Sequence, residues 1–170
     1  MNVGTVRLQL RMGEPQGITS WSLRGVAGAH LDGLPTALSA LGPVDPGQHP
    51  NGALGIDHVV ATTPDLERTI AALEAAGVRL RRVREAGENR QAFFRLGEVI
   101  LEVVTGPRIE EPPRFWGMVF TVQDLDACAA LLGSSLGDVH DAVQPGRRIA
   151  SVRREAGVPL PVAFITPPAR

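Results

Sequence analysis

Two stretches of the chain share one order of hydrophobic and polar patterns. Residues 53–107 begin with a short β-rich run, continue with apolar residues at helical spacing, and end with three further apolar runs separated by turn residues. Residues 114–168 repeat this order more faintly. Each stretch therefore predicts the element order β-α-β-β-β, and a repeat of about 60 residues indicates a duplicated module.

Both predicted helices begin at the same kind of junction. An Asp-Leu pair, Asp65-Leu66 in one stretch and Asp124-Leu125 in the other, follows shortly after a β-rich run that ends in threonine. A short polar side chain at this point can accept hydrogen bonds from the free amides of a helix start. Gly77 and Gly133 stand where the helical spacing stops, which is typical of a helix end.

The first 52 residues are rich in glycine and proline and weakly patterned. Alternation in residues 6–10 and 18–24 predicts a hairpin, and residues 45–52 are typical of an exposed linker. The prolines between the two patterned stretches disfavour regular structure there. We therefore expect one compact domain with three sections: 1–52, 53–107 and 114–168.

Composition and charge narrow the function classes. Hydrophobic residues make up 44% and charged residues 21% of the chain, as in an ordinary globular domain. The net charge of −1 gives no general attraction to nucleic acid or acidic membranes. The lone Cys128 cannot form an internal disulfide, and the chain start lacks the pattern of a secretory signal. We expect a cytoplasmic protein that binds neither nucleic acid nor membrane.

Arginines cluster on two predicted strands, and the chain contains no lysine. A charged edge strand, protected from aggregation, explains these clusters better than a nucleic-acid surface, because no nucleic-acid-binding motif accompanies them. The residues are Arg79, Arg81, Arg82 and Arg84 in one cluster, and Arg147, Arg148, Arg153 and Arg154 in the other.

Several short motifs occur in order within residues 54–106. They are Ile56-Asp57-His58-Val59-Val60, a Pro-Asp-Leu helix start, Phe93-Phe94-Arg95-Leu96-Gly97, and Ile100-Leu101-Glu102-Val103-Val104. The ordered set resembles one module of the vicinal oxygen chelate superfamily, which includes glyoxalase I, bleomycin-resistance proteins and extradiol dioxygenases. The resemblance implies an α+β fold in which two paired βαβββ modules form a cupped, partly closed mixed β-sheet barrel with the helices outside. The hairpin within residues 1–52 would be the remnant of a further module.

The resemblance also implies a site. In metal-dependent members of the superfamily, ligands lie on the first and fourth strands of a module, and His58 and Glu102 occupy these positions. Both are therefore candidate catalytic residues and candidate ligands of a divalent metal such as Zn, Ni, Mn or Fe. The second module supplies no match, because the alignment puts Gly117 opposite His58 and Ala163 opposite Glu102.

A metal site is therefore incomplete in the sequence, since a divalent ion needs three or four converging ligands. The others would have to come from His30 or His49 or from a second subunit. Alternatively, His58 is hydrogen-bonded inside the fold and Glu102 pairs with it or with an arginine. We assign no cofactor and expect a pocket that contains both side chains.

Four further residues are candidates for ligand binding. Arg90 could clamp an anion at the mouth of the pocket, and Phe94, Met118 and Phe164 could line it. The alternatives are a solvated hairpin end for Arg90 and ordinary core for the apolar side chains. Strand alternation allows only one of Phe93 and Phe94 to face the pocket.

These patterns favour a glyoxalase-like protein of unassigned reaction that binds a small molecule in the cup of the paired modules. One alternative is a metal-dependent lyase, isomerase or dioxygenase that uses His58 and Glu102. Another is a metal-free sequestering protein of the resistance type. A metal-free isomerase or lyase, with the same pair as acid and base, is a further alternative. The sequence leaves a homodimer open.

Overall fold

The computed structural model describes residues 1–42 and 44–168 of the chain. These residues divide into two compact units. The terminal unit comprises the described residues within 1–14, 43–57 and 118–170, and the central unit comprises 15–42 and 58–117. The division falls within two strands, so each of these strands contributes residues to both units.

The fold is α+β, with two α-helices in the described residues. Eight strands, β5 to β12, make up a mixed sheet, and two pairs of short strands are separate from it. The strands are β1 (Asn2–Val3), β2 (Val6–Arg7), β3 (Trp21–Leu23), β4 (Thr36–Leu38), β5 (Ala53–Thr62), β6 (Leu80–Ala86), β7 (Asn89–Leu96), β8 (Val99–Thr105), β9 (Arg114–Val122), β10 (His140–Asp141), β11 (Arg148–Ser151) and β12 (Val162–Ile165). The helices are α1 (Leu66–Ala75) and α2 (Leu125–Leu132), with 3₁₀ turns at Gly133–Ser135 and Arg154–Ala156.

In the central unit, the sheet strands follow the order β5-β8-β7-β6. Strand β5 is parallel to β8, whereas β8, β7 and β6 are antiparallel neighbours. Helix α1 begins where the Asp65 carboxylate accepts a hydrogen bond from the Arg68 amide, as the Asp-Leu junction predicts. A tight turn at Gly97-Glu98 connects β7 to β8, with Gly97 at a φ of 64°.

Helix α1 covers one side of this sheet. Its apolar stripe packs against strand residues that point to the same side, since side chains alternate along a strand. The buried cluster consists of Leu31, Leu34, Ala61, Leu66, Ile70, Leu73, Ala76, Val78, Ala92, Phe94, Leu101 and Val103. The strand positions between these residues therefore lie on the side away from α1.

The terminal unit repeats the same construction. Its sheet strands follow the order β10-β11-β12-β9, and β9 is parallel to β12. Asp124 caps α2 by accepting hydrogen bonds from the amides of Asp126 and Ala127, and α2 packs on a core that includes Val122 and Phe164. The predicted duplication of the βαβββ order is confirmed.

The register of the two modules agrees with the sequence alignment between them. Val60 pairs with Glu102 across β5 and β8, and Val119 pairs with Ala163 across β9 and β12. Val60 and Val119 are separated by the same number of residues as the two Asp-Leu junctions. Ala163 therefore holds the position in the second module that Glu102 holds in the first.

The N-terminal residues pair differently from the predicted hairpin. Val6–Arg7 pairs with Asn2–Val3, and Trp21–Leu23 pairs in parallel with Thr36–Leu38, where the Trp21 Nε1 donates to Thr36 Oγ1 at 2.7 Å. The two segments expected to form one hairpin belong to different compact units. Among the described residues, no helix combines the length and the apolar character that crossing a bilayer requires.

Candidate functional site

The side of the central sheet away from α1 carries a cluster of polar side chains around one phenylalanine. We call this cluster the polar face. It consists of His58 on β5, Arg82 and Arg84 on β6, Gln91 and Phe93 on β7, and Glu102 on β8. The strand register brings them together, since Phe93 lies opposite both Arg82 and Glu102, and Arg84 lies opposite Gln91.

His58 and Glu102 approach each other on this face. The His58 Nε2 lies 3.5 Å from Glu102 Oε2, and the two side chains are only 13% and 15% exposed. Burial raises the pKa of the Glu102 carboxyl, and the nearby charges of His58, Arg84 and Arg82 oppose that effect in part. A carboxyl group in this position can hold a proton more readily than one in water, which is a property of acid–base groups.

Gln91 connects Glu102 to an arginine. The Gln91 Nε2 donates to Glu102 Oε1 at 2.8 Å, and the Nε and Nη2 of Arg84 donate to Gln91 Oε1 at 2.9 and 2.5 Å. A guanidinium group only donates, so the Gln91 oxygen must face Arg84 and its amino group must face Glu102. One oxygen of Glu102 is thus held by Gln91, and the other faces His58.

The Phe93 ring provides an apolar surface beside the guanidinium groups of Arg82 and Arg84. The Arg82 guanidinium lies 4.7 Å from the centre of the Phe93 ring, and that of Arg84 lies 5.9 Å from it. Strand β6 is an end strand of the sheet, as its arginines predict. Arg82 is exposed and Arg84 is half-buried, and both guanidinium groups nevertheless lie against the Phe93 ring.

Two of the predicted ligand-binding residues lie on the helix side of the central sheet. Phe94 is 1% exposed in the core around α1. Arg90 pairs with Glu67 of α1 at 2.9 Å and with Glu85 at 3.2 Å. Side-chain alternation thus puts Phe94 and Arg90 on the opposite side of the sheet from Glu102. Their neighbours Phe93 and Gln91 lie on the same side as Glu102.

The other two predicted ligand-binding residues belong to the terminal unit. Phe164 is 7% exposed in the core beside α2, and its ring lies 5.8 Å from that of Phe120. Met118 alternates with Val119, which clusters with Ala163. Met118 and Phe164 are thus on the α2 side of their strands, whereas Ala163 holds the position equivalent to Glu102.

The donor set of the polar face does not fit a divalent metal. In the described part of the chain, no group of three or more His, Cys, Asp or Glu side chains is placed to hold an ion, so neither His30 nor His49 completes one. His58 and Glu102 supply two donors, and Gln91 already occupies one Glu102 oxygen. Two protein ligands beside guanidinium groups are too few for a stable site.

A second polar arrangement lies within the terminal unit. The Arg147 Nη2 lies 2.5 Å from Asp57 Oδ1, and the two side chains are 8% and 9% exposed. Arg147 also donates to the Thr166 carbonyl at 2.7 Å, and Thr121 donates to Asp57 at 3.2 Å. The expectation of a solvated charge is therefore wrong for Arg147, which is a buried ion-pair partner.

Solved structures resemble this chain over about two thirds of its length. Methylmalonyl-CoA epimerase from Mycobacterium tuberculosis superposes with a TM-score of 0.58 at 18% identity, covering 69% of this chain and 91% of that one. A variant of the Streptomyces coelicolor methylmalonyl-CoA epimerase in complex with 2-nitronate-propionyl-CoA gives 0.54 at 19% identity, covering 67% and 97%. A hypothetical protein from Bacillus halodurans C-125 gives 0.56 at 11% identity, covering 68% and 95%.

These likenesses confirm the predicted fold, which is that of the vicinal oxygen chelate proteins. No protein-family model and no curated protein matches the sequence. Since one fold hosts many reactions, the function has to be argued from the side chains of the site.

Proposed function

We propose that this protein binds a small organic molecule on the polar face of the central sheet, in contact with Glu102 and His58. The observation that carries the proposal is the Glu102 carboxylate, which is 15% exposed, lies beside His58 and accepts a hydrogen bond from Gln91. Partly burying a carboxylate costs free energy. Such groups are concentrated at binding and catalytic sites.

The rest of the polar face supports the same proposal. Ligand sites combine an apolar surface with a few polar groups that fix orientation. Here Phe93 supplies the apolar surface, and Gln91 and Arg84 hold Glu102 in one orientation. The proposal needs no metal, and it places the ligand on the side of the sheet that α1 leaves uncovered.

A thermal-shift screen tests this proposal. The panel contains small organic acids, their amides, sugars and propionyl-CoA; the thioester is included because a similar structure holds a propionyl-CoA analogue. A compound at 100 times its dissociation constant should stabilise the protein by about 2.7 kcal/mol. Glu102→Gln should lose most of the shift, whereas Glu98→Gln, in the exposed β7–β8 turn, should keep it. No shift in the wild type, or an equal shift in Glu102→Gln, would refute the proposal.

The raised pKa of Glu102 beside His58 favours a second candidate, a metal-free isomerase or lyase in which Glu102 moves a proton to or from carbon. Incubating a bound carbonyl compound in D₂O tests this by NMR. An enzyme should introduce deuterium next to the carbonyl, and Glu102→Gln should slow the exchange by about a hundred-fold or more. A sequestering protein would bind the compound without exchange above the solvent rate.

A further inference from the structure

The polar face carries an excess of positive charge. The acidic residues of residues 58–62 in β5 and of strands β6 to β8 are Glu85 and Glu102. Side-chain alternation places Glu102 on the polar face, whereas Glu85 pairs with Arg90 on the helix side. Arg82 and Arg84 each contribute a full charge. Even with Glu102 ionised and His58 neutral, the face therefore keeps at least one positive charge.

The guanidinium N–H donors of Arg82 have no acceptor among the described residues. Within the described residues, its side chain makes neither a hydrogen bond nor an ion pair, although its guanidinium stacks 4.7 Å from the centre of the Phe93 ring. Arg84 directs its Nε and Nη2 to Gln91, which leaves its Nη1 with no partner among the described side chains. Two guanidinium groups thus present open N–H groups beside the same aromatic ring.

Protection of an edge strand does not account for this arrangement. A charge that only discourages aggregation needs to project into water, as the exposed Arg81 does at the irregular position between Leu80 and Arg82. Arg82 is exposed as well, but its guanidinium lies over the Phe93 ring of the neighbouring strand β7. Stacking restricts the guanidinium, so less entropy is lost when its planar donors engage an anion.

We propose that Arg82 and Arg84 recognise an anionic group of the ligand, a carboxylate or a phosphate, while the remainder of the ligand lies across Phe93 toward Glu102. This assignment rests on the proposed function and names the ligand class, a small organic anion. Guanidinium groups bind both kinds of oxyanion through paired N–H donors. Strand β7 lies between β6, which carries the arginines, and β8, which carries Glu102. The backbones of β6 and β8 are therefore about 10 Å apart, or two strand spacings, and the ligand would span that separation.

Matched acids and amides test the ligand class. Isothermal titration at 150 mM salt with benzoate and benzamide, succinate and succinamide, and phenyl phosphate separates charge from shape and carboxylate from phosphate. At least one anion should bind the wild type ten-fold or more tightly than its neutral partner. Arg82→Gln should weaken that anion at least ten-fold, and Arg82→Lys should weaken it less. The control Arg81→Gln, on the same strand, should bind like the wild type.

Several outcomes would overturn the assignment. One is equal affinity of the wild type for acids and amides. Another is an anion affinity that Arg82→Gln leaves unchanged. A third is an equal loss of anion affinity in every arginine variant, including the control Arg81→Gln. Arg82 has no hydrogen bond to lose, so its substitution should leave the melting temperature within about 2 °C. If Arg82→Gln fails to fold, the comparison of acids with amides in the wild type still shows whether the site prefers an anion. A neutral amide that binds through Glu102 as tightly as its acid would overturn this assignment and leave the proposed function standing, whereas no binding by any compound would end both.

Discussion

The side-chain amide of Gln91 donates a hydrogen bond to Glu102 at 2.8 Å, and Arg84 fixes the orientation of that amide. The two residues lie on adjacent antiparallel strands, where the register brings their side chains to the same side of the sheet. Glu102 is held at one oxygen and faces His58 with the other. Its orientation is thus set by neighbouring strands before any ligand arrives.

Removing this hydrogen bond should destabilise the protein. In Gln91→Ala, a largely buried Glu102 oxygen loses its donor, and Arg84 loses the acceptor it contacts twice. Urea unfolding at pH 7 should show a loss of about 1–3 kcal/mol, typical of a hydrogen bond to a charged group. Gln123→Ala is a matched control at an exposed glutamine. A loss of less than about 0.5 kcal/mol, the range of surface substitutions, would contradict this account of Gln91.

The pKa of Glu102 predicts the sign of a pH effect on stability. Burial raises this pKa in the folded protein above its ordinary value of 4.5, so the folded state holds the proton more tightly than the unfolded chain. The contribution of the group is fully favourable below the unfolded pKa and is lost as pH rises through the folded pKa. Gln cannot ionise, so Glu102→Gln does not lose stability as pH rises through the pKa of Glu102. The variant should therefore gain stability relative to the wild type as pH rises from 4 to 7.

Unfolding curves of the two proteins at a series of pH values measure this difference. The control is Glu98→Gln, at an exposed turn position, whose stability relative to the wild type should change little over the same range. If Glu102→Gln instead loses stability relative to the wild type as pH rises, the ionised carboxylate is stabilised by His58, Arg82 and Arg84 more than burial destabilises it.

The duplicated element order and both helix starts were predictable because they depend on local chemistry. Asp65 and Asp124 cap their helices with hydrogen bonds to nearby amides, and the apolar spacing that follows each cap is visible in the sequence. His58 and Glu102 were found through the resemblance to a known family. The structure places them 3.5 Å apart, and their roles remain proposals.

The partners of Glu102 were harder to predict because they depend on register. A shift of one residue exchanges the two sides of a strand, and the irregular pairing between Leu80 and Arg82 brings Arg82 and Arg84 to the polar face. One feature of the sequence could have indicated Gln91. If Glu102 pairs with Phe93, alternation along the strand puts Gln91 on the same side of the sheet as Glu102 and Phe94 on the other side. The burial of Arg147 had no local signal, because its partner Asp57 lies far away in the sequence.

Phe93 and Phe94 provide a test of this alternation. Phe94→Ala should cost about 3–5 kcal/mol, because it removes a 1% exposed ring from the core around α1. Phe93→Ala should cost less, since that ring is only partly buried, but it should weaken whichever ligand depends on Glu102. Urea unfolding and titration with that ligand measure the two effects. Equal losses of stability, or a ligand affinity that depends on Phe94 alone, would contradict the assignment of the two sides.

The buried pair of Asp57 and Arg147 makes a prediction for the terminal unit. Asp57→Ala leaves the Arg147 guanidinium, 8% exposed, without its carboxylate, although the Thr166 carbonyl still accepts one hydrogen bond. Breaking a buried ion pair from one side typically costs about 3–5 kcal/mol, because the remaining charge stays out of water. Urea unfolding at pH 7 should show a loss of that size.

A double variant separates the ion pair from simple packing. Replacing both partners, with Asp57→Leu and Arg147→Met, removes both charges and should recover a large part of the loss, because no buried charge is left uncompensated. Asp126→Ala is the surface control. Its pair with Arg148 lies at 2.7 Å between side chains that are 67% and 44% exposed, so the loss should stay below about 1 kcal/mol. If the double variant is as unstable as Asp57→Ala, the loss comes from packing around Asp57 and not from the unpaired charge of Arg147.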